Sequence, residues 1–278
     1  MTRAGRGFAL AELIVALVIA GIIGVALTRL VVNQARFVAM QDAMMQARGG
    51  ARSALNVLIG EMRMVPGGGV IDAATDSVTL RVPYAFGIAC GRTSGNTIVS
   101  LFPADSATYF SAVPSGYAWR DATGHYVFEN GATVTDGVAL TTCTSAAITT
   151  ASAPGWPARA AAVTQNLATD TAAAILLYQD VRYAFAPSVE LPGRQALWRT
   201  VLLSGAREEL VAPFDTTAKF TFLVGSRYTA QTAPPTPLDS LRGVLIRLTS
   251  TSENPPEGRS LPTTFDVSVN VYFRNYEP

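Results

Sequence analysis

Three patterns of apolar and polar residues succeed one another along this chain. From Phe8 to Thr28 the residues are almost all apolar, with no charge between Leu13 and Leu27. That run is about the length needed to cross a hydrocarbon core. From Phe37 the pattern becomes a stripe: Phe37, Met40, Met44, Ala47, Ala51, Leu55, Leu58 and Met62 recur at spacings of three and four, with Arg36, Asp42, Arg48 and Arg52 off it. Pro66 and Gly67-Gly68-Gly69 break the pattern. Together these features predict one spine helix over 8–64, roughly 85 Å long, with 8–28 transmembrane and 29–64 amphipathic. Gly49-Gly50 is the candidate bend, and the stripe is read as core, its methionines needing no ligand.

From Val70 onward the period falls to two. In "TFDVSVNVYFRN", Phe265, Val267, Val269, Val271 and Phe273 fall on one face, with polar residues and Tyr272 on the other. "SVTLRVPYA", "NTIVSLF", "ILLYQDVRYAFA", "QALWRTVLLS", "KFTFLV" and "RGVLIRLTS" are further strand candidates, rich in β-branched and aromatic residues. The expected fold is therefore α+β: a long N-terminal helix packed on a mostly antiparallel sheet that forms one head over 70–278. Residues 103–125 read as loop, although they carry Tyr109, Phe110, Tyr117 and Trp119, whose expected role is packing inside the head. Residues 150–165, "TAQTAPPTPLDS" and "TSENPPEGRSLP" read as surface loops.

Composition narrows the functional classes. Of 278 residues, 49% are hydrophobic and 15% charged, enough apolar mass for a sizeable core. The formal net charge of +1 gives no electrostatic footprint for nucleic acid. A lone His125 has no nucleophile motif near it, so no catalytic residues are assigned. Glu208 and Glu209 read as a solvated turn. The oxygen-rich loops at Asp72, Asp76 and Asp121 lack the spacing and terminal glutamate of an EF-hand; no cofactor is expected, with calcium the one candidate considered. Two cysteines cannot complete a zinc site with one histidine. If the bulk of the chain is exported, Cys90 and Cys143 are read as a disulfide, the alternative being two buried thiols.

The N-terminus admits three readings. Arg3 and Arg6 predict a cytoplasmic N-terminus. An ordinary signal peptide cut near Gly24-Val25-Ala26 leaves the length of the run and Glu12 unexplained. A plain signal anchor explains the length but not Glu12, because an ionised group at membrane depth costs about 2.5–3.5 kcal/mol on insertion scales. A cut between Gly7 and Phe8 explains both. The new α-amino group of Phe8 then lies one helical turn from Glu12, and a carboxylate in the first turn suits the helix dipole.

Gly7-Phe8-x-x-x-Glu12 before an apolar helix resembles the type IV prepilin signal of type IV pilins and type II secretion pseudopilins. The resemblance implies cleavage after Gly7 by a prepilin peptidase, N-methylation of Phe8, and alignment of subunits by Glu12 during assembly. The helix departs from many major pilins in having no proline. Retention of Glu12 is unlike the tip-most pseudopilins, which usually lack it.

The layout is similar to PilW-type minor pilins and, at shorter length, to J-type minor pseudopilins. "ARSALNVLIGEMRMV", with its acidic–x–Arg–Met ending, is followed by a Trp-Arg strand, a Phe-containing strand, an Arg-led strand and a last strand ending in Arg-Asn. Residues 85–170 carry no such likeness. The resemblance implies a minor pilin that joins a minor-pilin complex to prime or cap pilus assembly. Its partners would be other minor pilins, the major pilin and the inner-membrane assembly platform. Its place would be the bacterial inner membrane with a periplasmic head, then the pilus or pseudopilus. A J-type pseudopilin, or a pilus-borne adhesin or DNA-uptake module, are the alternatives.

Overall fold

The computed structural model describes residues 10–93, 95–102, 105, 108–109, 112–131, 134–136, 143, 159–164 and 172–273. A single helix, α1 (Leu10–Met62), runs without interruption through Gly49-Gly50. Its C-terminal part buries Ala43, Ala47, Ala51, Ala54, Leu55, Leu58 and Met62. The alanines let the helix lie close to the sheet, and a Cβ on Gly50 would stand 3.0 Å from the Ser250 hydroxyl. The expected stripe is corrected at its start. Phe37 is 63% exposed: the loop at 256–259 reaches the helix beside it, where a Cβ on Gly258 would stand 3.3 Å from Arg36 Nε, but helix residues are buried only from Ala43 onward. Pro66 and the turn after it end the helix, with Gly69 N–H donating to the Pro66 carbonyl at 2.9 Å.

Among the described residues fourteen strands follow: β1 (Val70–Ala74), β2 (Ser77–Thr93), β3 (Asn96–Leu101), β4 (Gly116–Arg120), β5 (Tyr126–Asn130), β6 (Val134–Asp136), β7 (Arg159–Thr164), β8 (Ala174–Pro187), β9 (Gln195–Val201), β10 (Arg207–Phe214), β11 (Lys219–Val224), β12 (Thr229–Gln231), β13 (Leu241–Thr251) and β14 (Thr264–Tyr272). They form one sheet in the order β12-β11-β13-β10-β9-β8-β2-β3-β7-β6. On its flanks β1 pairs with β2, β14 with β13, and β4 with both β5 and β8. Every ladder is antiparallel. The fold is thus α+β. Three expectations are corrected: residues 103–125 contain β4, residues 150–165 contain the whole of β7, and Glu208 and Glu209 lie on β10 rather than in a turn. β4 and β7 are only five and six residues long, β7 with three consecutive alanines, and both are held by pairing with neighbours remote in sequence.

The two long strands β2 and β8 join two halves of the head. Next to α1, residues 78–82 of β2 and 181–185 of β8 share a core with Leu58, Met62, Leu197, Phe214, Phe220, Phe222, Ile246 and Leu248. Beyond the helix, Ala85 and Ala89 of β2 and Ile175 and Leu177 of β8 share a second core with Val99, Leu101, Tyr117, Trp119 and Val163. On β2 the core-facing set changes from even to odd numbers at the irregularity between Pro83 and Ala85. A bulge does this, since one extra residue shifts the side-chain alternation. Leu80 still faces Val181 and Ala85 still faces Leu177, so both cores lie on one side of the β2–β8 ladder.

Candidate functional site

The N-terminal half of α1 is the first feature to explain. Leu10 and every residue of 12–38 are exposed, including Leu13, Ile14, Val15, Leu17, Ile22 and Leu27. Among the described residues this is the one helix long and apolar enough to cross a membrane. Burying such a surface in lipid or against other helices gains about 25 cal/mol per Å² of apolar area. Glu12 is exposed in the first turn, where a carboxylate complements the helix dipole. Gly7 and Phe8 lie outside the described residues. Thr28 answers its own polarity by donating from its hydroxyl to the Gly24 carbonyl at 2.8 Å, and a Cβ on Gly21 or Gly24 would meet nothing within 4 Å.

The second feature fastens the helix to the head. Glu61, in the last turn of α1, forms an ion pair with Arg199 of β9, with Nε 3.3 Å from Oε1. The Tyr183 hydroxyl of β8 donates to Glu61 Oε2, and Arg199 Nε donates to the Tyr183 oxygen at 3.3 Å. Burial, reinforced by the Glu61 charge, pushes the Tyr183 phenol far above its ordinary value, so this hydroxyl stays a donor. In the sequence, Glu61 and Arg199 stand out only as parts of the acidic–x–Arg–Met ending and the Trp-Arg strand, not as a pair, and Tyr183 does not stand out at all. The available signal was the acidic residue in "GEMRM" and the arginine in "LWRTV", which lie far apart in the chain.

The third feature is the outer half of the head. Its strands β3 to β7 fall within residues 85–170, the stretch without family likeness. Cys90 and Cys143 form a disulfide there, their Cα atoms 4.8 Å apart, packed with Ile98, Ala160 and Ala162. Tyr109, Tyr117 and Trp119 are buried, and the Tyr117 hydroxyl donates to the Thr164 carbonyl at 2.5 Å. At the junction of the two halves, Arg81 lies 4.4 Å from the Phe128 ring centre and donates to the Gly68 carbonyl at 3.2 Å. It thereby ties the turn after α1 to the β5 strand. Directly across from Arg81 in the ladder stands Asp180, whose carboxyl burial pushes up despite the opposing effect of Arg81.

The oxygen-rich loops have local roles. Asp121 Oδ1 accepts from the Thr123 and His125 backbone N–H groups and from the Thr123 hydroxyl, organising the β4–β5 turn. Asp72 and Asp76 lie on β1 and its turn into β2. Among the described residues no group of three or more His, Cys, Asp or Glu side chains is arranged to hold a metal ion. Glu209 accepts from the Ser188 hydroxyl and the Val189 N–H, so it orders the loop after β8.

Comparison with known protein families, with curated proteins and with solved structures gave no match.

Proposed function

We propose that this chain is a type IV prepilin-like protein, a minor pilin of PilW type with a structural role in priming or capping fibre assembly. One observation carries the reading: a single continuous helix is divided between an exposed apolar half with Glu12 in its first turn and a half buried on an antiparallel sheet. The first half suits lipid before assembly and neighbouring helices afterwards. The second half holds the head. Cleavage after Gly7 by a prepilin peptidase leaves a free amine on Phe8, which is then methylated. Glu12 of one chain pairs with that amine on the next, neutralising both charges where neither is well solvated. The location that follows is the bacterial inner membrane, then a pilus or pseudopilus, with other pilins and the assembly platform as partners.

Mass spectrometry of the mature N-terminus tests this directly. A methylated Phe8 start supports the proposal, and a start at Leu27 overturns it. Loss of surface pili in a deletion strain supports the PilW-type assignment, whereas loss of protein export with pili intact favours a J-type pseudopilin.

A second reading rests on the outer half, which lies beyond the end of α1 and contributes nothing to the helix-backed core. It makes that half an adhesive or DNA-uptake module. Substitutions at the exposed tip of the β4–β5 hairpin, Arg120→Glu with His125→Ala, then reduce adhesion or uptake while leaving fibres intact.

A further inference from the structure

The loop between β13 and β14 runs down the helix toward its apolar half. The end of β13 stands beside Gly50, where a Cβ would lie 3.0 Å from the Ser250 hydroxyl. Further along, the chain turns at Gly258, where a Cβ would stand 3.3 Å from Arg36 Nε. Gly50 and Arg36 are about 20 Å apart along the helix axis. The turn is closed by the Arg259 N–H, which donates to the Pro256 carbonyl at 3.0 Å. Gly258 has φ +81°, which glycine adopts without a steric penalty, and its bare Cα lets Arg36 lie close against the loop.

In a bilayer this turn has a defined height. Residues 13–32 are exposed throughout and carry one charge, Arg29, near their end. Roughly 20 helical residues match a hydrocarbon core about 30 Å thick, with Glu12 at one edge and Val32 at the other. Arg29 is close enough to the second edge to snorkel out of the core. Arg36 then lies about 6 Å beyond that edge, within a headgroup layer about 5–8 Å thick. Because Gly258 rests against Arg36, the tip of the loop lies in the same layer.

Between the loop tip and the helix is a cleft of about 290 Å³. Phe37, Met40 and Pro256 give it an apolar wall, and Arg36, Arg259 and Glu257 give it charge. These three charged side chains are exposed, and none forms an ion pair among the described residues. Asn33 and Phe37 also line a second groove, which continues past Leu30 to Ala26 in the apolar half. The cleft and the groove thus run together from headgroup level into hydrocarbon level. Two guanidinium groups suit a phosphate, and a carboxylate beside them suits a cationic group attached to it. The apolar groove below suits an acyl chain, which a free phosphate does not possess.

We propose that this cleft binds an amine-bearing phospholipid of the phosphatidylethanolamine class, taken from the leaflet on the side of the head. Arg36 and Arg259 donate to its phosphate, Glu257 accepts from its ammonium group, and one acyl chain lies along Leu30 and Ala26. The bound lipid bridges the helix and the loop, and so fixes the head at the membrane surface. The inference rests on the membrane-spanning reading of α1. It does not depend on the prepilin reading, because it requires neither cleavage after Gly7 nor pairing by Glu12.

The test reconstitutes the full-length protein in vesicles of phosphatidylethanolamine and phosphatidylglycerol in equal amounts. Flotation reports insertion, and native mass spectrometry of the released protein identifies the lipid it retains. The chain is expected to float and to retain phosphatidylethanolamine in preference to phosphatidylglycerol. Arg36→Gln with Arg259→Gln should lower retention about tenfold, through loss of two charge-assisted contacts. Glu257→Gln should keep retention but abolish the preference. Arg52→Gln, about 24 Å further along the helix, should change neither. All four side chains are exposed, and an unchanged near-UV circular dichroism spectrum verifies the fold of each variant. A chain that does not float overturns the membrane reading and this proposal with it. A chain that floats overturns this proposal alone in any of three cases: retention is indifferent to the arginine pair, Arg52→Gln lowers it equally, or phosphatidylglycerol is retained as well as phosphatidylethanolamine.

Discussion

Glu61 and Arg199 are separated by most of the head in sequence, yet they meet at 3.3 Å and fasten the last turn of the helix to the middle of the sheet. Tyr183 completes the contact from the neighbouring strand by donating to Glu61. Each charged side chain keeps about a quarter of its surface exposed, 23% for Arg199 and 25% for Glu61, so solvent screens part of the attraction.

Removing one partner of this contact tests its strength. Glu61→Gln is expected to lower stability by about 1 kcal/mol, the scale of a partly screened ion pair with a further hydrogen bond. A double-mutant cycle of Glu61→Gln with Arg199→Gln should give a coupling of about 1 kcal/mol. Chemical denaturation of the full chain in detergent, followed by tryptophan fluorescence, measures both. Strict additivity would mean the pair contributes no stability.

The boundary between the two halves of α1 predicts a contrast between two helix positions. Leu58 is fully buried in the helix-backed core, so Leu58→Ala should cost about 2–5 kcal/mol. Phe37 is largely exposed, so Phe37→Ala should leave head stability nearly unchanged. The same unfolding measurement distinguishes them. Equal losses at the two sites would show that the head covers Phe37 after all.

Asp180 predicts a pH-dependent gain. Its carboxyl titrates above the ordinary 3.8, first because it is buried, with Arg81 opposing the shift, and its Oδ1 accepts no hydrogen bond. A carboxyl raised in the folded state binds protons more tightly there than in the unfolded chain. Its contribution to stability is therefore present in acid and lost as the pH rises through the window above 3.8. Asp180→Asn should raise the melting temperature at pH 7, with the advantage fading as the pH falls toward that value. Thermal melts of both proteins across this range check the sign. A destabilised variant at pH 7 would show that Asp180 ionises without penalty.

Reduction of Cys90–Cys143 should act on the outer half first. The cysteines are 53 residues apart, a loop whose closure contributes about 4 kcal/mol on chain-entropy grounds. Cys90→Ser with Cys143→Ser should raise amide hydrogen exchange around β3 and β7 while β13 and β14 stay protected. Uniform exchange across the whole head would mean the two halves unfold as one unit.

Much of this architecture was legible in the sequence because it repeats. The apolar run, the three-and-four spacing from Met40 to Met62 and the alternation in β2, β8, β11, β13 and β14 each recur often enough to identify an element and its buried face. Phe37 was misplaced because periodicity marks which side of a helix is apolar, but not how far along it the head extends. β4 and β7 escaped notice because five or six residues are too few to establish an alternation, β7 is largely alanine, and both are fixed by pairing with β8 and β3.

The sequence by itself determined the long helix, its exposed charge at Glu12, the antiparallel character of the head and the candidate cysteine pair. These follow from local periodicity, from the cost of charge in lipid and from the count of two cysteines. Only the tertiary structure decided that Glu61 meets Arg199 and Tyr183, and that residues 85–170 build a second core beyond the helix. Each of these is a contact between segments distant in the chain, fixed by strand register and by the bulge after Pro83, and no local pattern encodes it.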